Sequence, residues 1–366
     1  MLTKEQLAHP LKIKKKVQET TDTVSLVFDI PKNLTDKFKY KAGQFVTLYA
    51  SPKGEEVRRS YSLSSCPVTD EEFKISVKRV DGGLVSNWLL DEVNEGDELY
   101  VTPPAGLFCL PAEHDNQFVF VAGGSGITPI ISLIKSALKT NDSSRVALLY
   151  CSRDEESVIF HRELRELSTK YAERFRYENN LTQPKKEFAG RKGRLHSTDI
   201  RDFWNEYECS NKAHHFLCGP DGLMTTAEAA FEMLGVSRDH VHRESFTTAS
   251  SSDSNYLDKV GDDAVYIGDK GTAAEPKTIE AEVDGEWVTV EAKEGVNVLE
   301  TLLEAGHNPP YSCMDGACMA CMGRVQEGLV YQEDMGILTE DNTDAGECLT
   351  CQAIPASDKV KVTFEI

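Results

Sequence analysis

The chain has 366 residues, 40% hydrophobic and 27% charged, with a formal net charge of −20. That length exceeds what one ordinary core supports and implies two or three domains. The acidic balance argues against nucleic acid, which is bound by lysines and arginines that neutralise phosphates, and no apolar run approaches the roughly 18 residues of a membrane span.

The first residues, Met1 to His9, lack a basic segment followed by an apolar core, so a cytoplasmic, reducing setting is expected. Residues 1 to 112 read as short strands with turn punctuation, an antiparallel β-barrel or sandwich, with runs at Thr23–Phe28, Phe45–Tyr49 and Phe73–Lys78. Within them, Arg58-Arg59-Ser60-Tyr61-Ser62 alternates on a strand, which places guanidinium and phenol on one side and suits a ligand with a phosphate and a flat ring. Gly82-Gly83-Leu84-Val85-Ser86 then opens an apolar helical pattern, whose free backbone N–H groups make a phosphate seat. Each feature alone also fits an ordinary surface hairpin or helix start.

From 113 to 246 strands and helices alternate, as in an α/β domain with a parallel sheet. The apolar run Phe118–Ala122 leads into Gly123-Gly124-Ser125-Gly126-Ile127-Thr128-Pro129 and a helix, the geometry for holding a pyrophosphate, although not the GxGxxG fingerprint. After the strand Val146–Tyr150 come Ser152, Arg153 and Asp154. An arginine there pairs with a ribose 2′-phosphate and an acid with the free hydroxyl, so NADPH is expected over NADH, with Lys192 and Arg194 as helpers. His214-His215 leads a strand ending in Cys218-Gly219, and neighbouring histidines on a strand face opposite ways. The polar stretch 247–277 reads as a linker spanning roughly 30 Å.

The remainder, 278–366, has a hairpin around Asp284-Gly285, a short helix Asn297–Ala305 closed by Gly306, and a final strand Lys359–Phe364, an α+β electron-carrier pattern. Here 18 Asp/Glu stand against 4 Lys/Arg, a balance that suits steering toward a basic partner and equally suits an acidic surface kept for solubility. Between helix and last strand, Cys313, Cys318 and Cys321 have the C-x4-C-x2-C spacing of a plant-type [2Fe–2S] cluster, and 29 residues separate Cys321 from Cys351. Gly316 supplies the backbone freedom for a sharp turn between ligands. Cys318-x2-Cys321 with Cys348-x2-Cys351 also suits tetrahedral zinc, but leaves Cys313 without a role. Disulfides would need an oxidising compartment.

Taken together, these pieces resemble the ferredoxin–NADP reductase superfamily fused to a plant-type ferredoxin (β-grasp) domain, in particular the reductase components of phenylacetyl-CoA epoxidase and related hydroxylases and desaturases. The carrying motifs are Arg59-Ser60-Tyr61-Ser62, Gly83-Leu84-Val85-Ser86, Pro104-Ala105-Gly106-Leu107-Phe108, Gly124 to Pro129, Cys218-Gly219 and Glu244-Ser245-Phe246. The resemblance implies FAD, with Arg59 and Ser86 on its pyrophosphate, Tyr61 on the isoalloxazine, Ser62 by N5, and Glu244 and Phe246 nearby. It implies a nucleotide site from Gly124, Gly126, Thr128, Pro129, Ser152, Arg153, Cys218 and Gly219, with Thr128 and Cys218 flanking the nicotinamide. It makes Cys351, not Cys348, the fourth ligand beside Cys313, Cys318 and Cys321. Ser62, Cys218 and Glu244 are the candidate catalytic groups.

A nicotinamide gives two electrons as hydride and a cluster takes one at a time, so the flavin must sit between them. The expected route runs from NADPH through FAD and the cluster to a separate oxygenase, epoxidase, hydroxylase or desaturase. A small redox protein as acceptor and a redox sensor without turnover are the alternatives.

Overall fold

The computed structural model describes residues 7–54, 56–112, 116–185, 187–244, 246, 264–283, 285–293, 295–311, 314, 316, 319–333 and 337–365. The chain divides into two compact units, Ala8–Phe246 and Thr247–Ile366 with Met1–Leu7. Among the described residues, no helix is long and apolar enough to cross a membrane.

Ala8–Phe246 begins with β1 (His9–Thr20), β2 (Thr23–Asp29), β3 (Phe45–Ala50), β4 (Val57–Ser62), β5 (Phe73–Lys78) and β6 (Glu98–Val101). They form one sheet in the order β4-β3-β6-β1-β2-β5, with every pairing antiparallel. A bridge between Leu63 and Ile75 ties the two outer strands and closes the sheet into a barrel, which removes exposed edges. Leu11, Leu26, Val46, Leu48 and Ile75 fill the interior. Helix α1 (Leu84–Asp91) buries Val85 and Leu89 against it.

The same unit continues as β7 (Gln117–Gly123), α2 (Ile127–Thr140), β8 (Arg145–Ser152), α3 (His161–Lys170), β9 (Phe175–Leu181), β10 (Arg191–Lys192), α4 (Ser197–Glu206), β11 (His214–Cys218), α5 (Asp221–Met233) and β12 (Val241–Glu244). The sheet order is β10-β9-β8-β7-β11-β12, all parallel. Buried parallel strands carry apolar residues on both faces. Phe118, Phe120 and Ala122 pack with Ile127, Ile131 and Leu164 on one side, and Val119 and Val121 with Ile200, Phe203 and Phe231 on the other. His214 and His215 do face opposite ways. The His214 ring lies beside His240 and His242, while His215 meets Phe231 and accepts from Trp204 Nε1 at 3.1 Å.

Helix α2 also fastens the sheet to the barrel. Ser132 Oγ donates to Ser65 O at 2.6 Å, and buried Lys135 reaches Asp70 Oδ2 at 2.5 Å and Glu163 Oε1 at 2.6 Å. Burial disfavours the ammonium, yet the Glu163 and Asp70 carboxylates outweigh it and hold the lysine above its usual range. Lys135→Met strands both acids and is expected to cost about 3 kcal/mol, read as a lower urea midpoint at unchanged slope.

The second unit contains β13 (Ala264–Gly268), β14 (Thr278–Val283), β15 (Glu286–Glu291), α6 (Val298–Glu304), β16 (Met322–Glu327), β17 (Leu329–Glu333), α7 (Glu340–Asp344), β18 (Glu347–Leu349), β19 (Ile354–Pro355) and β20 (Lys359–Thr363). Its main sheet runs β15-β14-β20-β16-β18, parallel only between β14 and β20, and α6 lays Val298 and Leu302 onto Ile279, Ala281, Val360 and Val362. Asn297 caps that helix by accepting from Glu300 N at 2.8 Å. A smaller sheet joins β13, β17 and β19. Residues 264–272, expected within the linker, are instead β13 and a 3-10 turn, because Ile267 buries against Val330 and the β13 backbone pairs with β17. Of the rest of that expected linker, 273–277 run on to β14 with Ala273 bridged to Ser357, and 247–263 lie outside the described residues.

Candidate functional site

The strand order β8-β7-β11 reverses direction between β7 and β11, and a parallel sheet opens its ligand crevice at the carboxyl ends there. Both glycine turns expected to hold nucleotide emerge at this point. They touch backbone to backbone. A Cβ on Gly126 would lie 2.0 Å from Cys218 O, and one on Gly219 would lie 2.8 Å from Gly123 N. Gly126 and Gly219 are therefore set by packing, whereas Gly124, at φ +54°, has only Lys78 Nζ within reach of a Cβ, at 3.7 Å. Tyr150 OH donates to Gly124 O at 2.9 Å and Thr128 Oγ1 to Ser125 O at 3.0 Å, which fixes the turn. Helix α2 starts here without a side-chain cap, and Thr128 and Pro129 are buried in its first turn. Its opening N–H groups are the ones that lack intrahelical partners.

At the end of β8, Ser152 is buried and Arg153 exposed. The acid beside them is engaged inward. Asp154 is buried, accepts from Ser157 N at 3.0 Å, and lies 3.5 Å from Arg153 Nε and 3.2 Å from Lys185 Nζ. Lys192 and Arg194 are exposed farther along. Sequence reasoning misses Lys185, because nothing local links it to Asp154.

In the barrel, Arg59 and Tyr61 stand on one face of β4, opposite Leu48 and Val46, with Ser60 and Ser62 on the other, opposite Thr47 and Phe45. Arg59 Nη1 donates to Arg58 O at 2.7 Å and Ser60 Oγ pairs with Thr47 Oγ1 at 2.9 Å. Burial pushes the Tyr61 phenol above its ordinary range, with the Arg59 guanidinium acting against it. Helix α1 packs beside the Pro52–Gly54 turn that leads into β4, and its N-cap Gly83 contributes no side chain. Ser86 Oγ accepts from Val80 N at 3.2 Å, leaving its hydroxyl hydrogen to donate, while Leu84 is exposed and Val85 buried. A guanidinium, an uncapped helix start and a half-buried phenol fit a ligand with a pyrophosphate and an aromatic ring system.

The three candidate catalytic groups converge where barrel and parallel sheet meet. Ser62 Oγ donates to Glu244 Oε2 at 3.5 Å across 182 residues, and Glu244 pairs with Cys218 in the β11–β12 register. Burial pushes the Glu244 carboxyl up to about 8, against the Ser62 hydrogen bond that lowers it. Burial, then the nearby Glu244, raises the Cys218 thiol well above its ordinary value. Cys109 belongs to the same neighbourhood. Burial pushes its thiol up to about 11, and Glu244 is among the charges it feels. Its one signal in the sequence is its place right after Gly106-Leu107-Phe108. Phe246, in contrast, is exposed at the end of the unit.

In the second unit Cys313 and Cys318 lie outside the described residues. Cys321 and Cys351 are buried in one apolar group with Leu299, Leu303 and Leu349, against which Tyr311, Met314 and Met319 pack. Cys348 points into the other core, with Ile279 and Val298, and burial raises its thiol far above the ordinary range. The intervening loop turns left-handed at Met314 (φ +60°), Gly316 (φ +72°) and Met319 (φ +55°). Non-glycine residues hold such conformations only where their surroundings enforce them. Two cysteines buried in one group beside these left-handed positions fit a thiolate-bound metal cluster.

Residues 10–109 match the oxidoreductase FAD-binding domain, 120–229 the oxidoreductase NAD-binding domain and 281–356 the 2Fe-2S iron-sulfur cluster binding domain. The chain is 39% identical over 350 residues to the ferredoxin reductase component of 3-ketosteroid-9-alpha-monooxygenase from Rhodococcus rhodochrous, covering 95% of this chain and 94% of that one. It is 30% identical over 372 residues to one component of 1,2-phenylacetyl-CoA epoxidase from Escherichia coli, covering 98% of each. The structure of phthalate dioxygenase reductase, described as modular for electron transfer from pyridine nucleotides to [2Fe-2S], superposes with a TM-score of 0.57 at 25% identity over 99% of this chain and 100% of that one. With the barrel, the parallel sheet and the cysteine-bearing unit following one another along the chain, it belongs to the ferredoxin-reductase-component family of oxidoreductases, which join FAD-binding, NAD-binding and 2Fe–2S domains in one polypeptide.

Proposed function

We propose that this chain accepts hydride from NADPH and passes single electrons to a separate oxygenase component, from a cluster held by Cys313, Cys318, Cys321 and Cys351. The observation that carries this reading is the meeting of Ser62, Cys218 and Glu244 at the switch point of the parallel sheet. FAD, when bound, supplies the step from a hydride's electron pair to single electrons. Arg59 and Ser86 would bind its pyrophosphate and Tyr61 would pack against its ring. Thr128 and Cys218 would border the nicotinamide, with Gly124 leaving room for the nucleotide backbone, and the uncapped start of α2 would face the pyrophosphate. Relatives that belong to a 3-ketosteroid monooxygenase and an epoxidase support an oxygenase as acceptor. The setting that goes with this reading is a reducing compartment such as the cytoplasm.

The preference for NADPH rests on Asp154. Its carboxylate is capped by Ser157 and flanked by two cations, so the acid does not confront a 2′-phosphate and exposed Arg153 remains to meet it. Anaerobic titration of the purified holoprotein with NADPH and with NADH, followed by flavin and cluster absorption, tests the whole reading. Bleaching of both chromophores at lower NADPH than NADH is expected. Arg153→Ala is expected to raise the KM for NADPH about tenfold, the worth of one charge-assisted hydrogen bond, and to leave that for NADH nearly unchanged. Equal effects on both nucleotides would overturn the assignment.

A further inference from the structure

The second unit has a cavity of about 450 Å³, lined by Glu282, Pro309, Pro310, Tyr311, Phe364 and Glu365 among others. Its walls are of two kinds. Pro309, Tyr311 and Phe364 are apolar or aromatic and at least half-buried, whereas Glu282 and Glu365 bring carboxylates from β14 and from the segment after β20. Glu282 Oε2 accepts from Thr363 Oγ1 at 2.7 Å, which holds it in place without neutralising it.

The cations of 278–366 are all engaged elsewhere. Lys293 pairs with Glu304, Arg324 with Glu347, and Lys359 with Glu280 and Glu327, while Lys361 lies over the Trp287 ring. With 18 acidic against 4 basic residues in this stretch, the cavity sits in a predominantly negative field. One further contact gives it a direction. Tyr311 lines the cavity and also packs on the group containing Cys321 and Cys351.

We propose that this cavity is where the electron-accepting protein docks, by inserting an arginine or lysine side chain between Glu282 and Glu365. The aliphatic stem of such a residue covers the proline and aromatic wall while its charged head meets the carboxylates, and the aromatic rings add cation–π attraction. A side chain seated there holds its protein against Tyr311 and hence next to the buried cysteines. This inference rests on the electron-transfer reading above, and the partner it selects is one with a basic patch around its own redox centre.

The test uses the full holoprotein, with cytochrome c as a lysine-rich one-electron protein acceptor and ferricyanide as a small anionic one. In Glu282→Gln with Glu365→Gln, the amide at 282 still accepts from Thr363, so the fold is kept and only charge is lost. At low ionic strength the pair is expected to raise the KM for cytochrome c about tenfold, with the difference vanishing in high salt. Ferricyanide reduction and single-turnover reduction of the cluster by NADPH stay unchanged. A control pair with the same loss of charge, Glu291→Gln with Asp344→Asn, changes little. An equal rise in the control pair, or no rise in the cavity pair, overturns the docking site and leaves the electron-transfer reading intact. Failure of the unsubstituted protein to reduce cytochrome c while it reduces ferricyanide overturns that reading, and this inference with it.

Discussion

Cys351→Ala is expected to remove the cluster from the purified protein, and Cys348→Ala to leave it in place. Two residues of one Cys-x-x-Cys pair thus behave oppositely, because the backbone sends them to different cores. Cys351 shares a buried apolar group with Cys321, whereas Cys348 projects from β18 among Ile279, Val298 and Val362. A thiolate in such surroundings is strongly disfavoured unless a metal compensates it. Cys321 and Cys351 are therefore expected to act as ligands, and Cys348 to remain a neutral packing group. Iron content should fall from about two atoms per chain to none in Cys351→Ala. Transfer to a one-electron protein acceptor should then fall on the order of a hundredfold or more, while ferricyanide is still reduced. Cys348→Ala should keep its iron and lose only about 1 to 2 kcal/mol from the small cavity it leaves. Iron retained in Cys351→Ala and lost in Cys348→Ala would reverse the assignment.

The second large effect concerns Glu244. Its carboxyl titrates near 8 because burial penalises the charge, so at neutral pH it is mostly uncharged beside Ser62. Hydride arrival brings negative charge to this corner, and an ionised carboxylate would oppose it. The rate of reduction by NADPH, measured by anaerobic stopped flow, is expected to fall as pH rises through about 8. Glu244→Gln should keep the low-pH rate and flatten the profile, while Glu244→Ala should lose about a hundredfold at every pH, in the range of one positioned polar group. Stability follows the same sign. The folded value of about 8 lies above the ordinary 4.5, so the contribution is complete below 4.5 and is lost as pH climbs through 8. The thermal midpoint of the unsubstituted protein should drop across that window more than that of Glu244→Gln. Identical pH profiles for the two proteins would show that Glu244 does not titrate there.

How much of this is legible in the sequence depends on whether the signal is local. The strand–glycine–helix turn at Gly123–Thr128 is readable because one short stretch encodes it, and β7 and α2 lie where the apolar patterns put them. The hairpin of β14 and β15 and the Asn297 cap are equally local. Contacts between distant segments are not. Ser62 and Glu244 come together on resemblance alone, Cys109 near Glu244 is marked only by its place after Gly106-Leu107-Phe108, and Lys185 on Asp154 leaves no trace in spacing. β13 is hidden because its polar, glycine-rich flanks resemble a linker, and its strand character arises only from pairing with β17. Gly126 reads in the sequence as a phosphate contact, yet close packing against Cys218 alone demands a residue without a side chain there.

Helix α2 does two jobs along its length. Its first turn presents Thr128 at the nucleotide crevice, and the following turns grip the barrel through Ser132 and Lys135. One rigid rod of 14 residues therefore acts as a common ruler for the two halves of Ala8–Phe246. With the barrel and the parallel sheet tied to that rod instead of to a hinge, nucleotide exchange is expected to proceed by adjustment of side chains and turns, without the two halves swinging apart.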